Sequence, residues 1–170
     1  MRLCAPIAGL FAAFLAVGAT SSILEMTPPI GGLTLASLRD TFGALHNGHL
    51  HEAIDIMEPR GTPVLAVVSG TVLKLFLSRP GGKTIYQADE LGVYCYYYAH
   101  LDRYLSVLRE GTRVKQGDVI GFVGSTGNAD PSAPHLHFAI FELGPEKLWW
   151  KGTAVDPYPS LVAAVKRTKS

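Results

Sequence analysis

The clearest pattern in the chain is the alternation of "HLHFAIFEL", residues 135–143, in which Leu136, Phe138 and Ile140 share one face and His135 and His137 the other. A period of two predicts a half-buried β-strand, because successive strand side chains point to opposite sides. Apolar and β-branched runs recur upstream. "GTPVLAVVSGTVLKLFL" divides at Ser69-Gly70, which predicts a hairpin or tight bend. "KTIYQADELGVYCYYYAHL" gives another pair around Asp89-Glu90-Leu91-Gly92, and "EGTRVKQGDVIGFVGSTGN" carries a Gln116-Gly117-Asp118 turn between apolar pieces. No long stretch follows the 3.6-residue helical period. The expected class is mainly β, a single domain of antiparallel strands over 41–160. Residues 20–40, with "TPPIGG", read as a linker, and "LVAAVKRTKS", 161–170, as an exposed tail or short helix.

Composition narrows this without redirecting it. The 170 residues suffice for one domain with a real core, and 18 Gly and 11 Pro suit strands joined by turns. Fifteen basic against 14 acidic residues leave no broad positive footprint, so nucleic acid is not an expected partner. The N-terminus stands apart: Met1-Arg2 precedes an uncharged run to Ala19, closed by the small-residue sequence Val17-Gly18-Ala19. That layout is a secretory signal peptide over 1–19. The rival is an uncleaved anchor, since the uncharged stretch reaches Leu24, and membrane contact is expected only in that case. Either way the remainder is exported to the periplasm or cell envelope. Cys4 leaves with the signal, so Cys95 is alone, a small hydrophobe in "VYCYYYAH" without a disulfide partner.

The chemistry lies in three short motifs: "HEAIDI" with His51 and Asp55, "YYYAHL" with His100, and "PHLHF" with His135 and His137. A catalytic zinc takes three protein ligands from His, Asp, Glu and Cys and keeps a position open for water. His51, Asp55 and one histidine of the His-x-His pair make such a set. Fully extended, His51 and Asp55 would be roughly 13 Å apart, so the chain must bend between them, which small Ala53 permits. "HEAID" is not the helical His-Glu-x-x-His motif, because Asp holds the last position and the flanks read as strand. Each residue also has a plainer reading: Asp55 as a turn or cap residue, His100 as a strand-end residue beside Tyr96 and Tyr98, His135 and His137 as a satisfied pair. His46 and His49, in the loop-like "HNGHLH", are taken as bystanders. The joint occurrence of the motifs favours a site.

The order His-x-x-x-Asp, Tyr-x-His-Leu, His-x-His resembles the LytM/lysostaphin-type zinc metallopeptidases, the M23 peptidase family. The resemblance extends to "GTPVLAVVSGTV", "YYYAHLDRY", "GTRVKQGDVIGFVGSTGNA" and "PHLHF", covers roughly 43–143, and continues less closely through "LWWKGTAVDPYP". It is similar above all to the compact, single-domain proteobacterial members. It implies a groove floored by antiparallel sheet, zinc held by His51, Asp55 and His137, unbound catalytic histidines His100 and His135, and hydrolysis of the peptide cross-links of bacterial peptidoglycan. Two positions depart from the pattern: Ala53 stands where many members have Gly, and the neighbourhood where some members carry a helper Tyr reads Ala44-Leu45-His46. Trp149 and Trp150 are expected as one core-packed and one edge-covering residue, with lining of the groove as the alternative. A non-catalytic regulator on the same fold is the alternative function. A lipoyl-type carrier domain, suggested by "VKQGDVIGFVG", is rejected because no lysine sits at a hairpin tip.

Overall fold

The computed structural model describes residues 23–46 and 48–168, so the segment expected to be a signal peptide and the His46 side chain lie outside the described residues. Eleven strands and one helix follow in order: β1 (Leu45–His46), β2 (His49–Leu50), β3 (Ile54–Met57), β4 (Pro63–Leu65), β5 (Gly70–Ser78), β6 (Gly82–Asp89), β7 (Tyr94–Tyr104), β8 (Arg113–Val114), β9 (Val119–Val123), β10 (His135–Leu143), β11 (Gly152–Val155) and α1 (Tyr158–Arg167). Six strands lie in the order β11-β10-β7-β6-β5-β8, each pair antiparallel. β3 adds to the N-terminal half of β10, and β9, which also pairs with β4, adds to the end of β7. The mainly β, antiparallel expectation holds.

Alternation sorts the central strands into two faces as the sequence predicts. Leu136, Phe138 and Ile140 of β10, Tyr96 and Tyr98 of β7, Ile54 and Ile56 of β3 and Ile85 of β6 are all buried in the core. The buried Tyr98 hydroxyl donates to Gln87 Oε1 at 2.9 Å and accepts from the Val67 backbone N–H at 3.1 Å, so two hydrogen bonds offset the cost of desolvating its polar tip. The opposite face of the same strands is the floor of the groove.

The structure decides three local expectations. Of the hairpin or tight bend expected at Ser69-Gly70 the chain takes the bend, over 67–69: β4 pairs with β9 and β5 with β6 and β8, and Ala66 N–H bonds outward to the Asp118 carbonyl instead of closing a hairpin turn. The stretch read as a linker is packed from Leu24 onward, with Met26, Ile30, Leu33 and Leu38 in the core and Ile30 bridged to Val64. Of the exposed tail or short helix expected at the C-terminus the helix forms, as α1, with Leu161, Ala164 and Val165 buried. Ser160 Oγ accepts from Leu24 N–H at 2.9 Å and Arg167 donates to the Met26 carbonyl at 3.0 Å, so the helix fastens the N-terminal stretch. The hairpin of β6 and β7 forms as expected.

Candidate metal centre and active site

In the groove floor, Asp55 of β3, His137 of β10 and Ala99 of β7 occupy one row of the register. Paired residues of adjacent strands point to the same face, so the row brings a carboxylate and an imidazole together above a methyl-sized neighbour. His51 joins from the loop after β2. Residues 51–53 lie outside any strand, Ala53 is fully buried in the bend, and His51 Nε2 comes within 3.2 Å of Asp55 Oδ1. His137 Nδ1 is 3.1 Å from His51 Nε2 and 3.0 Å from Asp55 Oδ1.

The donor set tests whether an ion fits this triangle. His51 Nδ1 is 2.9 Å from the Thr41 carbonyl, which can only accept, so that nitrogen carries the proton and Nε2 presents a lone pair. The buried Asp55 carboxyl is disfavoured as an anion by desolvation, but the hydrogen bond from His137 and the surrounding imidazoles outweigh this and hold it below the usual carboxylate range. Two acceptors thus face one imidazole nitrogen that can supply a proton to only one of them. A cation satisfies all three. Ligand atoms about 2.0–2.1 Å from a tetrahedral zinc lie roughly 3.3 Å from one another, close to the three separations here. His51, Asp55 and His137 are the three residues whose ligand atoms gather in this way among the described residues.

His135 and His100 stand beside the triangle. Their rings are 4.9 Å apart, and that of His100 is 5.5 Å from His137. His135 Nδ1 is 2.9 Å from the Ala133 carbonyl and His100 Nδ1 is 2.8 Å from the Thr126 carbonyl. By the same reasoning both carry Nδ1–H, which leaves Nε2 as the ring atom free of a backbone partner. His135 Nε2 lies 3.9 Å from Asp55 Oδ1. Burial pushes His100 down to about 4, with repulsion from His137 and His135 adding to it against the pull of the Thr126 carbonyl and Asp55. His100 is therefore a neutral imidazole near pH 7.

Strict alternation would put His100 on the core face with Tyr96 and Tyr98, opposite Ala99. It is instead in the groove because its φ is +59°, a left-handed turn of the backbone where β7 leaves β10 and takes up β9. The junction is tight. Thr126 Oγ1 accepts from Lys83 N–H at 2.9 Å and donates to the Leu101 carbonyl at 2.8 Å, and His100 N–H donates to the Gly81 carbonyl at 2.8 Å. A side chain at Gly124 would put Cβ 2.4 Å from Asp102 N, and one at Gly82, φ +63°, 2.2 Å from Thr126 Oγ1.

The structure brings together all five residues singled out from the sequence and leaves His49 exposed outside the cluster. Sequence reasoning passed over the residues that orient them. Thr41 was given no role, yet its carbonyl fixes His51 and its hydroxyl accepts from Asp55 N–H at 3.0 Å. Thr126 stood within the "GSTGNA" run with no role assigned. The orienting groups of all three histidines are backbone carbonyls, which every residue has, so no side-chain pattern marks them. Trp149 is half-buried against Tyr86 and Phe76 on the groove side and Trp150 is 62% exposed, so neither is a core residue.

Known proteins share this fold. The solved catalytic domain of the antimicrobial peptidase lysostaphin from Staphylococcus simulans superposes with a TM-score of 0.58 at 32% identity, covering 81% of this chain and 89% of that one. A zinc-containing peptidase from Vibrio cholerae matches with a TM-score of 0.55 at 25% identity, over 69% of this chain and 36% of that one. The peptidoglycan DD-endopeptidase ShyC of Vibrio cholerae is 36% identical over 97 residues, 57% of this chain and 21% of that protein. The chain spans less than half the length of the curated relatives it matches. The model of peptidase family M23 matches residues 49–157, a span that holds all five site residues, and the chain belongs to that family.

Proposed function

We propose that the protein is an exported zinc metalloendopeptidase that hydrolyses the peptide cross-links of bacterial peptidoglycan, with His51, Asp55 and His137 as metal ligands and His100 and His135 as the catalytic pair. The observation that carries the reading is the triangle of His51 Nε2, Asp55 Oδ1 and His137 Nδ1, with sides of 3.0–3.2 Å. Membership of a peptidase family and a relative named for peptidoglycan support the reaction and substrate class. When bound, zinc would polarise the scissile carbonyl and lower the pKa of its water to about 7.

The chain's own residues supply the rest. The Thr41 carbonyl holds the His51 ring by Nδ1, so that Nε2 is the atom that would hold the ion, and the Asp55 carboxylate would balance part of its charge. His100 and His135, each with Nδ1–H tied to a carbonyl, offer Nε2 as the acceptor for the proton of the attacking water. The imidazole that takes this proton becomes a donor at the same atom. It can then stabilise the tetrahedral oxyanion or return the proton to the leaving amine.

The test uses the full chain: bound zinc is quantified, and purified peptidoglycan is incubated with it while released fragments are followed by mass spectrometry. About one zinc per chain with new amine ends at cross-links establishes the peptidase and names the bond. Zinc without cleavage favours the regulatory alternative, and a folded protein that takes up no zinc removes the catalytic reading. His135→Ala is expected to retain zinc while turnover falls by about 10²–10⁴, and Asp55→Ala to lose the metal. Loss of zinc from the His135 variant would exchange the roles of His135 and His137.

A further inference from the structure

Beside the metal centre the groove floor turns aromatic. One residue pair along β10 from the His137 row lie Ala139, Tyr97 and Tyr86, and beyond them Phe141. The Tyr97 ring is 6.0 Å from that of His137, Tyr86 is 4.7 Å from Tyr97, and Trp149 is 4.7 Å from Tyr86. Tyr86, Tyr97, Phe141, Trp149, Trp150 and Lys151 line a cavity of about 300 Å³, at the lower end of the range of small-ligand sites. Among the described residues no carboxylate lines it. The indole N–H groups of both tryptophans and the Lys151 ammonium meet no acceptor among the described residues.

We propose that this cavity is a sugar subsite, which holds the pyranose ring of an N-acetylated amino sugar in the glycan strand that carries the peptide. The inference rests on the peptidoglycan reading above and extends it. Aromatic faces offer negative π surface to the slightly positive C–H faces of a pyranose, while the two indole N–H groups and the Lys151 ammonium offer donors at the rim. A pyranose with an N-acetyl group supplies both halves of the match: C–H faces for the rings, and hydroxyl and carbonyl oxygens for the three unpaired donors. A cationic side chain would meet Lys151, and an aliphatic one would leave every donor unmatched. Position agrees with this. The cavity begins one ring from His137 and ends at Phe141, four residues along the strand and roughly 13 Å away. That is the reach of about two to four residues of extended peptide, so the bond cut is one that lies within a few residues of the glycan.

The decisive experiment measures binding and turnover separately on the full chain. Tri-N-acetylchitotriose is titrated calorimetrically into the wild type, Trp149→Ala and Trp149→Phe. Hydrolysis of a disaccharide-linked muropeptide is then compared with that of the same peptide without sugar. Saturable binding weakened about tenfold in Trp149→Ala and largely kept in Trp149→Phe is expected. The Ala variant should also raise KM for the sugar-linked substrate alone, with kcat unchanged. Absence of saturable binding to the wild type overturns the proposal, as does an equal rise in KM for both substrates, which would make the cavity a peptide side-chain pocket. Sugar binding without hydrolysis of either substrate would leave the subsite standing and remove the peptidase reading. Near-UV circular dichroism identifies a misfolded Ala variant, and Lys151→Ala, an exposed change on the same rim, then takes its place with about threefold weaker binding expected.

Discussion

His100 combines a function with a backbone cost, and the two can be separated. A left-handed conformation costs a residue with a Cβ about 1–2 kcal/mol. Glycine escapes that cost but gives the unfolded chain extra freedom of about 0.4–1 kcal/mol. Both His100→Ala and His100→Gly lose the hydrogen bond to the Thr126 carbonyl and both should lose turnover, but the steric term is larger, so the Gly variant should be the more stable by about 1 kcal/mol. Thermal melts of the two variants check this, and an Ala variant as stable as the Gly one would show that φ +59° is unstrained. Cys95 is a simpler case. It is fully buried, and burial pushes its thiol up to about 12. The thiolate is the reactive form, so iodoacetamide should leave native Cys95 unmodified at pH 8 and alkylate it only after denaturation.

At the scale of elements, the critical feature is the junction where β7 changes partners. The Gly124 backbone lies against Asp102, and the Thr126 hydroxyl ties the loop after β9 to both β6 and β7. Gly124→Ala would place Cβ within 2.4 Å of a backbone nitrogen that cannot rotate away. Destabilisation of about 3 kcal/mol or more is expected, read as a shifted urea midpoint. Thr126→Val keeps the shape and removes both hydroxyl bonds, leaving Lys83 N–H without its acceptor, at a cost of about 1–3 kcal/mol. Turnover should fall further than that loss accounts for, because the carbonyl that orients His100 belongs to the same residue. Thr126→Ser should restore it. Equal activity of the Val and Ser variants would make the hydroxyl irrelevant to the site.

Across the whole molecule, the ends of the described chain are part of the core. Leu161 is fully buried and α1 holds the stretch from Leu24 to Met26. Leu161→Ala should cost about 2–5 kcal/mol of stability, whereas an exposed tail would tolerate it; equilibrium urea unfolding distinguishes the two. The sequence by itself determined the antiparallel β class, the core faces of β7 and β10, and the identity of the five residues at the site. Those depend on alternation and on short spacings, which are local and survive in a bare string of letters. Tertiary structure alone decided which strands pair, how closely His51 and Asp55 meet across the bend that their spacing required, that His100 faces the groove against its alternation, and that Thr41, Thr126 and Ala133 fix the three ring tautomers. Each of these depends on contacts between distant segments or on a backbone carbonyl. His51 and His137, for instance, are 86 positions apart. Residue types do not mark a carbonyl, and periodicity does not register a single left-handed residue, so both become visible only when the strands are laid side by side.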